Sequence, residues 1–181
     1  MKGLPQHPFW AYSLALYEQP GVADACLRLQ ERLGADVNLL LFGCWVAASG
    51  SGRLSGTDWR RMDTATADWR GGIVQPLRAI RRRLKTNRWA GIAPDLASAL
   101  RHEVQRLELR AEHAQQLAIA NLCPIVPDPS VPSGARAADT AANLENYISA
   151  LGAIPGTADG ADTALIADAA CRLADSGSGK M

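Results

Sequence analysis

The chain has no excess of either charge: nineteen Lys and Arg stand against eighteen Asp and Glu, a formal net charge of +1. No global field draws it to nucleic acid or to an anionic surface, so electrostatic recognition has to come from local clustering. It has no Cys-x-x-Cys pair. Cys26, Cys44, Cys123 and Cys171 are scattered, three of them among apolar neighbours, and are expected as buried, reduced thiols rather than a disulfide framework or a zinc site. No apolar run approaches the roughly 20 residues that span a bilayer, so no membrane partner is expected. The opening Met-Lys-Gly-Leu-Pro-Gln-His-Pro lacks the apolar core of a signal peptide, and with reduced thiols this leads us to expect a cytoplasmic protein.

Catalytic and metal constellations are missing too. There are three His residues, and neither Glu-x-x-His nor His-Glu-x-x-His occurs. His102 and His113 share a helix face, but eleven residues separate them by about 16 Å along the axis, too far for one metal. Covalent catalysis needs a nucleophile with a base in hydrogen-bonding reach, and no elbow around Ser or Cys suggests one. The terminal Gly-Ser-Gly-Lys lacks the first glycine of a phosphate loop and has Met181 where Ser or Thr should stand. The expectation is no catalytic residue, no metal and no cofactor.

What is present is helical. Leu39 to Ala48 is apolar on every side, its length and Leu/Ala content favouring a helix over a strand. Asp36 is placed to cap it, Gly50 to end it, and Gly43 to admit a neighbouring backbone. The segment is read as a buried central helix. Before it, Pro8 suits a first turn, and Val22, Cys26, Leu29 and Leu33 form an amphipathic stripe closed by Gly34, with Asp24 and Arg28 as an external i,i+4 pair. After it, Ser55 to Asp58 offers caps. Trp69, Ile73, Leu77, Ile80 and Leu84 stay on one side of a helix kinked near Pro76, or of two helices meeting there. A loop spans 87–93.

From Pro94 the longest segment carries the heptad-like seam Ala97, Leu100, Val104, Leu107, Ala111, Ala114 and Ala118, with Arg101, Gln105, Glu108, Glu112 and Gln115 on a wet face. Four prolines between 124 and 132 mark a strap. Two Ala-rich helices and a mobile tail from Asp175 follow.

Two regions are candidates for binding. Arg78, Arg81, Arg82, Arg83, Lys85 and Arg88 put six cations in eleven residues, and Arg78, Arg82, Lys85 and Arg88 are taken as contact residues. A second candidate is an interhelical pocket among Phe9, Trp10, Tyr12, Phe42 and Trp45, with Tyr12, Ser13 and Asn38 as its polar groups.

Phe9-Trp10-Ala11-Tyr12-Ser13 through Tyr17, Asp36-Val37-Asn38-Leu39-Leu40-Leu41-Phe42, and Pro76-Leu77-Arg78 through Lys85 together resemble a family of short bacterial proteins. That family is catalogued as a conserved domain of unknown function and is found mainly in proteobacteria. The resemblance covers about 8–122 and implies an all-helical cytosolic protein. It implies no reaction and transfers no catalytic residue.

The expected architecture is all-α: five or six helices over 8–122 around a buried central helix, then a loosely attached helical pair over 123–181. The expected function is a non-enzymatic adaptor or regulator that binds another macromolecule through the basic helix face, with a protein as the expected partner. The alternatives are a small-molecule binder or enzyme using a pocket near Trp10, Tyr12, Asn38 and Trp45, or an RNA- or DNA-binding protein. The Ala seam is also suited to a homodimer.

Overall fold

Asp36 starts the central helix. Its carboxylate accepts the Asn38 N–H at 2.8 Å and opens α3, Val37–Ala48. Nine of the twelve residues of α3 are buried, among them Leu39, Leu40, Phe42 and Cys44, so the apolar decapeptide is jacketed on all sides. Gly50 ends it at φ +78°, where a Cβ would stand 2.0 Å from the Asp128 carbonyl. The Pro-rich strap docks across this end, the Asp128 N–H donating to the Ser49 carbonyl at 2.8 Å. The computed structural model describes residues 4–86 and 89–177.

Around α3 stand α1 (Pro8–Tyr17), α2 (Val22–Leu33), α4 (Gly56–Trp69), α5 (Gln75–Thr86), α6 (Pro94–Leu122), α7 (Ser133–Ala150) and α8 (Thr157–Gly177). Every described element is helical, and the protein is an all-α bundle with six of its α-helices between Pro8 and Leu122. Local signals set the starts. Pro8 and Pro94 occupy first turns, where a missing N–H is harmless, and Ser55 forms a reciprocal capping box with Asp58.

The chain does not break at Pro76. A π-helical turn, Arg70–Val74, carries α4 directly into α5. Gly71 and Gly72 contribute no side chains and Pro76 no N–H, which weakens the α register here, and a wider turn takes up the slack. At Gly43 it is a side chain, not a backbone, that comes close: a Cβ there would lie 2.9 Å from the Trp59 ring.

The C-terminal pair, expected as a loose attachment, is built into the main core. Leu144, Tyr147, Ile148, Ile166, Ala169 and Ala170 belong to the same buried cluster as Phe42 and Leu29. Small Ala residues let the helices approach closely, and polar anchors that no apolar pattern reveals hold them there. The Tyr147 hydroxyl accepts the Asp36 N–H at 2.8 Å. Arg28 and Arg32 on α2 form bidentate and bridging pairs with Asp162 and Asp159 on α8, so Arg28 reaches across to α8 and not to Asp24. These partners hold both carboxyls below the usual aspartate range: the Gly156 N–H and Arg32 at Asp159, Arg28 and Arg32 at Asp162. The helix α8 continues through Gly177, so the expected tail from Asp175 begins as helix; its remaining positions, 178–181, lie outside the described residues.

A candidate cleft between the central helix and a two-helix arm

The second half of α6 turns its polar face inward. Glu108 is 4% exposed and Gln115 1%, while Leu100 and Leu107 of the expected seam are 53% and 52% exposed. Val104 and Ala111 of that seam are buried as expected, but the core side of the helix is turned from Leu100 and Leu107 toward Glu108 and Gln115 of the expected wet face. Ionic partners from α5 reverse the preference. Arg78 binds Glu108 at 3.1 Å and Glu112 at 2.6 Å, and donates to Gln30 at 2.9 Å; Arg81 binds both oxygens of Glu108. Buried carboxylates are tolerable only when paired in this way. Burial still holds the Glu112 pKa above the ordinary glutamate value, with Arg78 pulling the other way.

A second polar group lies deeper, at the start of α3. Asp36 accepts Arg70 at 3.0 Å, and Arg70 also reaches Asp63 at 2.8 Å. Gln115 Nε2 donates to Asp36 at 2.5 Å, Asn38 Nδ2 to Gln115 at 3.1 Å, and Gln116 Nε2 to Asn38 Oδ1 at 2.8 Å. Asp36, Asn38, Arg70, Gln115 and Gln116 floor a cleft of about 490 Å³ between α1, α2, α3, α5 and α6, with Trp10, Ser13, Leu14 and Tyr17 of α1 as one wall.

The cleft joins parts of both candidate regions. Trp10 and Asn38 line it, and so do Arg78, Arg82 and Lys85. Arg78 is engaged by carboxylates, whereas Arg82 and Lys85 are exposed and make no ion pair among the described residues. Arg88 lies outside the described residues.

Tyr12 and Trp45 are elsewhere. Trp45 stacks on Phe9 at 5.3 Å and packs against Phe42. Tyr12 lies against the core, where burial pushes its pKa upward. Sequence reasoning missed Asp36 as more than a cap, together with Arg70, Glu108, Gln115 and Gln116. The available signal was a match of spacing, Arg78 and Arg81 at i,i+3 against Glu108 and Glu112 at i,i+4.

Trp10 stacks on His113 with ring centroids 4.3 Å apart. His113 Nε2 is buried with no hydrogen-bond partner among the described residues. Burial lowers the His113 pKa from its ordinary 6.5; the Pro5 backbone opposes this shift and His7 adds to it. A depressed folded pKa means the unfolded chain binds the proton more tightly, so stability present above 6.5 is lost as pH falls below it. We expect the Tm of the wild-type protein to fall more steeply between pH 7.5 and 5 than that of His113→Gln. Parallel profiles would remove this residue from the account of acid stability.

Among the described residues, no three His, Cys, Asp or Glu are grouped to hold a metal, and no helix is long and apolar enough to cross a membrane. Cys26, Cys44, Cys123 and Cys171 form no disulfide, and burial pushes the Cys26 thiol up to about 12.

An all-α protein with a buried central helix and a polar cleft under a two-helix arm is the class this architecture defines. Within it, the chain belongs to the family described as Protein of unknown function (DUF2390), whose model matches residues 8–119. The matched region contains the whole cleft. No curated protein and no solved structure matches the chain.

Proposed function

We propose that the protein is a non-enzymatic binding protein, an adaptor or regulator that docks an acidic, amphipathic segment of another protein on the arm made by α5 and the first half of α6. One observation carries this reading: α5 buries none of its residues, although its apolar and basic positions are cleanly segregated.

The stripe of α4 and α5 runs antiparallel to the seam of α6, tied at one end by the Trp69 indole donating to the Ala111 carbonyl at 3.0 Å. The two rows leave Ile73, Ile80, Leu100 and Leu107 between 40% and 53% exposed. Exposed apolar residues in such numbers on one arm of the fold mark an interaction site more often than chance. Arg82, Arg83 and Lys85 flank them without a carboxylate partner among the described residues, and Arg83 lies over the Trp89 ring at 5.7 Å. An amphipathic helix with acidic flanks complements that combination. Four unbridged thiols, Cys26 and Cys44 buried and Cys123 and Cys171 half-buried, fit a cytoplasmic site of action.

Charge reversal at Arg82, Arg83 and Lys85 tests the reading, because none of the three carries the ionic network beneath; Arg78 is left alone for the opposite reason. Affinity capture from cells of the source organism should recover a protein that binds the wild-type chain and is lost from both the triple Glu variant and Ile80→Glu. An unchanged set of captured proteins would exclude this face. Retention of mixed nucleic acid at low salt, falling steeply as salt is raised, would favour nucleic-acid binding through the same helix. A mass that doubles with concentration, and does not in Leu107→Glu, would make the occupant a second copy.

A further inference from the structure

Two polar atoms of the residues lining the cleft have no hydrogen-bond partner among the described residues. They are Ser13 Oγ and Gln116 Oε1, on residues only 2% and 3% exposed. Buried polar atoms are normally satisfied, and two exceptions in one cavity point to a group that satisfies them from outside the chain.

The chemistry wanted at Gln116 is dictated by the amides behind it. The Asp36 carboxylate only accepts, so Gln115 must turn its Nε2 toward it. That leaves Gln115 Oε1 to accept from Asn38 Nδ2, and Asn38 Oδ1 to accept from Gln116 Nε2. Each amide is oriented by the one before, and the last atom of the series, Gln116 Oε1, is an acceptor. A group bound there has to donate. At the mouth of the same cleft stand Arg82 and Lys85, the two lining cations with no carboxylate partner among the described residues. The volume of about 490 Å³ falls within the range of preformed small-molecule sites.

We propose that this cleft binds a small organic anion, a phosphate monoester or carboxylate, whose hydroxyl or amino group donates to Gln116 Oε1 beside Ser13 and whose charge is held between Arg82 and Lys85. The site does not require a macromolecule on the outer face of the arm, and the apolar side chains of that face take no part in it.

Equilibrium dialysis of the full chain against ribose 5-phosphate, adenosine 5′-monophosphate and gluconate, with ribose and adenosine as uncharged controls, tests the proposal. At least one anion should be retained at about 1 mM, a weak but specific affinity, while the uncharged controls are not. Ribose 5-phosphate or adenosine 5′-monophosphate alone identifies a phosphate ester; gluconate alone identifies a carboxylate.

Ser13→Ala should weaken retention by about three- to tenfold, the worth of one hydrogen bond, and leave the Tm of the unliganded protein unchanged or higher, because the hydroxyl removed had no protein partner. Lys85→Ala should weaken it by a similar factor through the lost charge. Retention of no anion above the uncharged controls overturns the site, as does wild-type retention by either variant. Ile80→Glu should retain the anion fully, which separates failure of the cleft from failure of the docking face.

Discussion

Replacing Asp36 by Ala is expected to remove about 3–5 kcal/mol of folding stability, the range for breaking a buried ion pair from one side. The carboxylate is almost fully buried and has three tasks: it caps α3 through the Asn38 N–H, pairs with Arg70, and accepts the Gln115 amide. The cap alone is worth about 1 kcal/mol. The rest comes from Arg70, left with Asp63, and from a Gln115 amide left with nothing to donate to. For a chain of this size each kcal/mol moves Tm by roughly 2–4 °C, so a fall of about 6–20 °C should be seen. Asp36→Asn keeps the cap and should lie between. A loss below about 1 kcal/mol would show that the polar floor contributes little to stability.

Asn143→Ala is the second large effect, about 3 kcal/mol or more, from stranding several buried backbone groups at once. Asn143 is fully buried on α7 and bridges three chain segments. Its Oδ1 accepts the Leu54 N–H at 2.8 Å, and its Nδ2 donates to the Gly43 and Gly52 carbonyls at 3.1 Å each. It therefore ties the middle of the central helix and the loop before α4 to the C-terminal pair. Denaturant unfolding should show a lower midpoint with an unchanged m-value, since the same surface is exposed on unfolding. A separate early transition would mean that α7 and α8 unfold apart from the rest.

Features that depend on a few neighbouring residues were legible in the sequence. Asp36, Ser55, Pro8, Pro94, Gly34 and Gly50 mark helix ends through hydrogen bonds or backbone angles set within one turn, and the apolar decapeptide identifies itself as the core. The orientation of α6 was not legible, because its burial is decided by partners far away in the chain. Periodicity sees Glu108 and Gln115 as polar; it does not see that Arg78, Arg81 and Asp36 will meet them. The docking of α7 and α8 was hidden for the same reason, since Asn143, Tyr147, Asp159 and Asp162 hold it through polar bonds to α2, α3 and the loops around it. Trp10, Ser13, Asn38 and the cations of α5 stood out by residue type. Their meeting in one cleft depends on how α1, α3, α5 and α6 pack, which no local pattern encodes.

The rotation of α6 about its own axis underlies both the cleft and the docking face, and thiol labelling measures it directly. In a Cys123→Ser, Cys171→Ser background, which removes the two half-buried native thiols, Leu107→Cys and Gln115→Cys are compared under native conditions. The structure requires Leu107→Cys to react at nearly the rate of an unfolded thiol and Gln115→Cys to be protected until the bundle opens. Rapid labelling at 115 with protection at 107 would put the apolar seam inside and the carboxylates in water, and would leave neither a polar cleft nor an exposed arm.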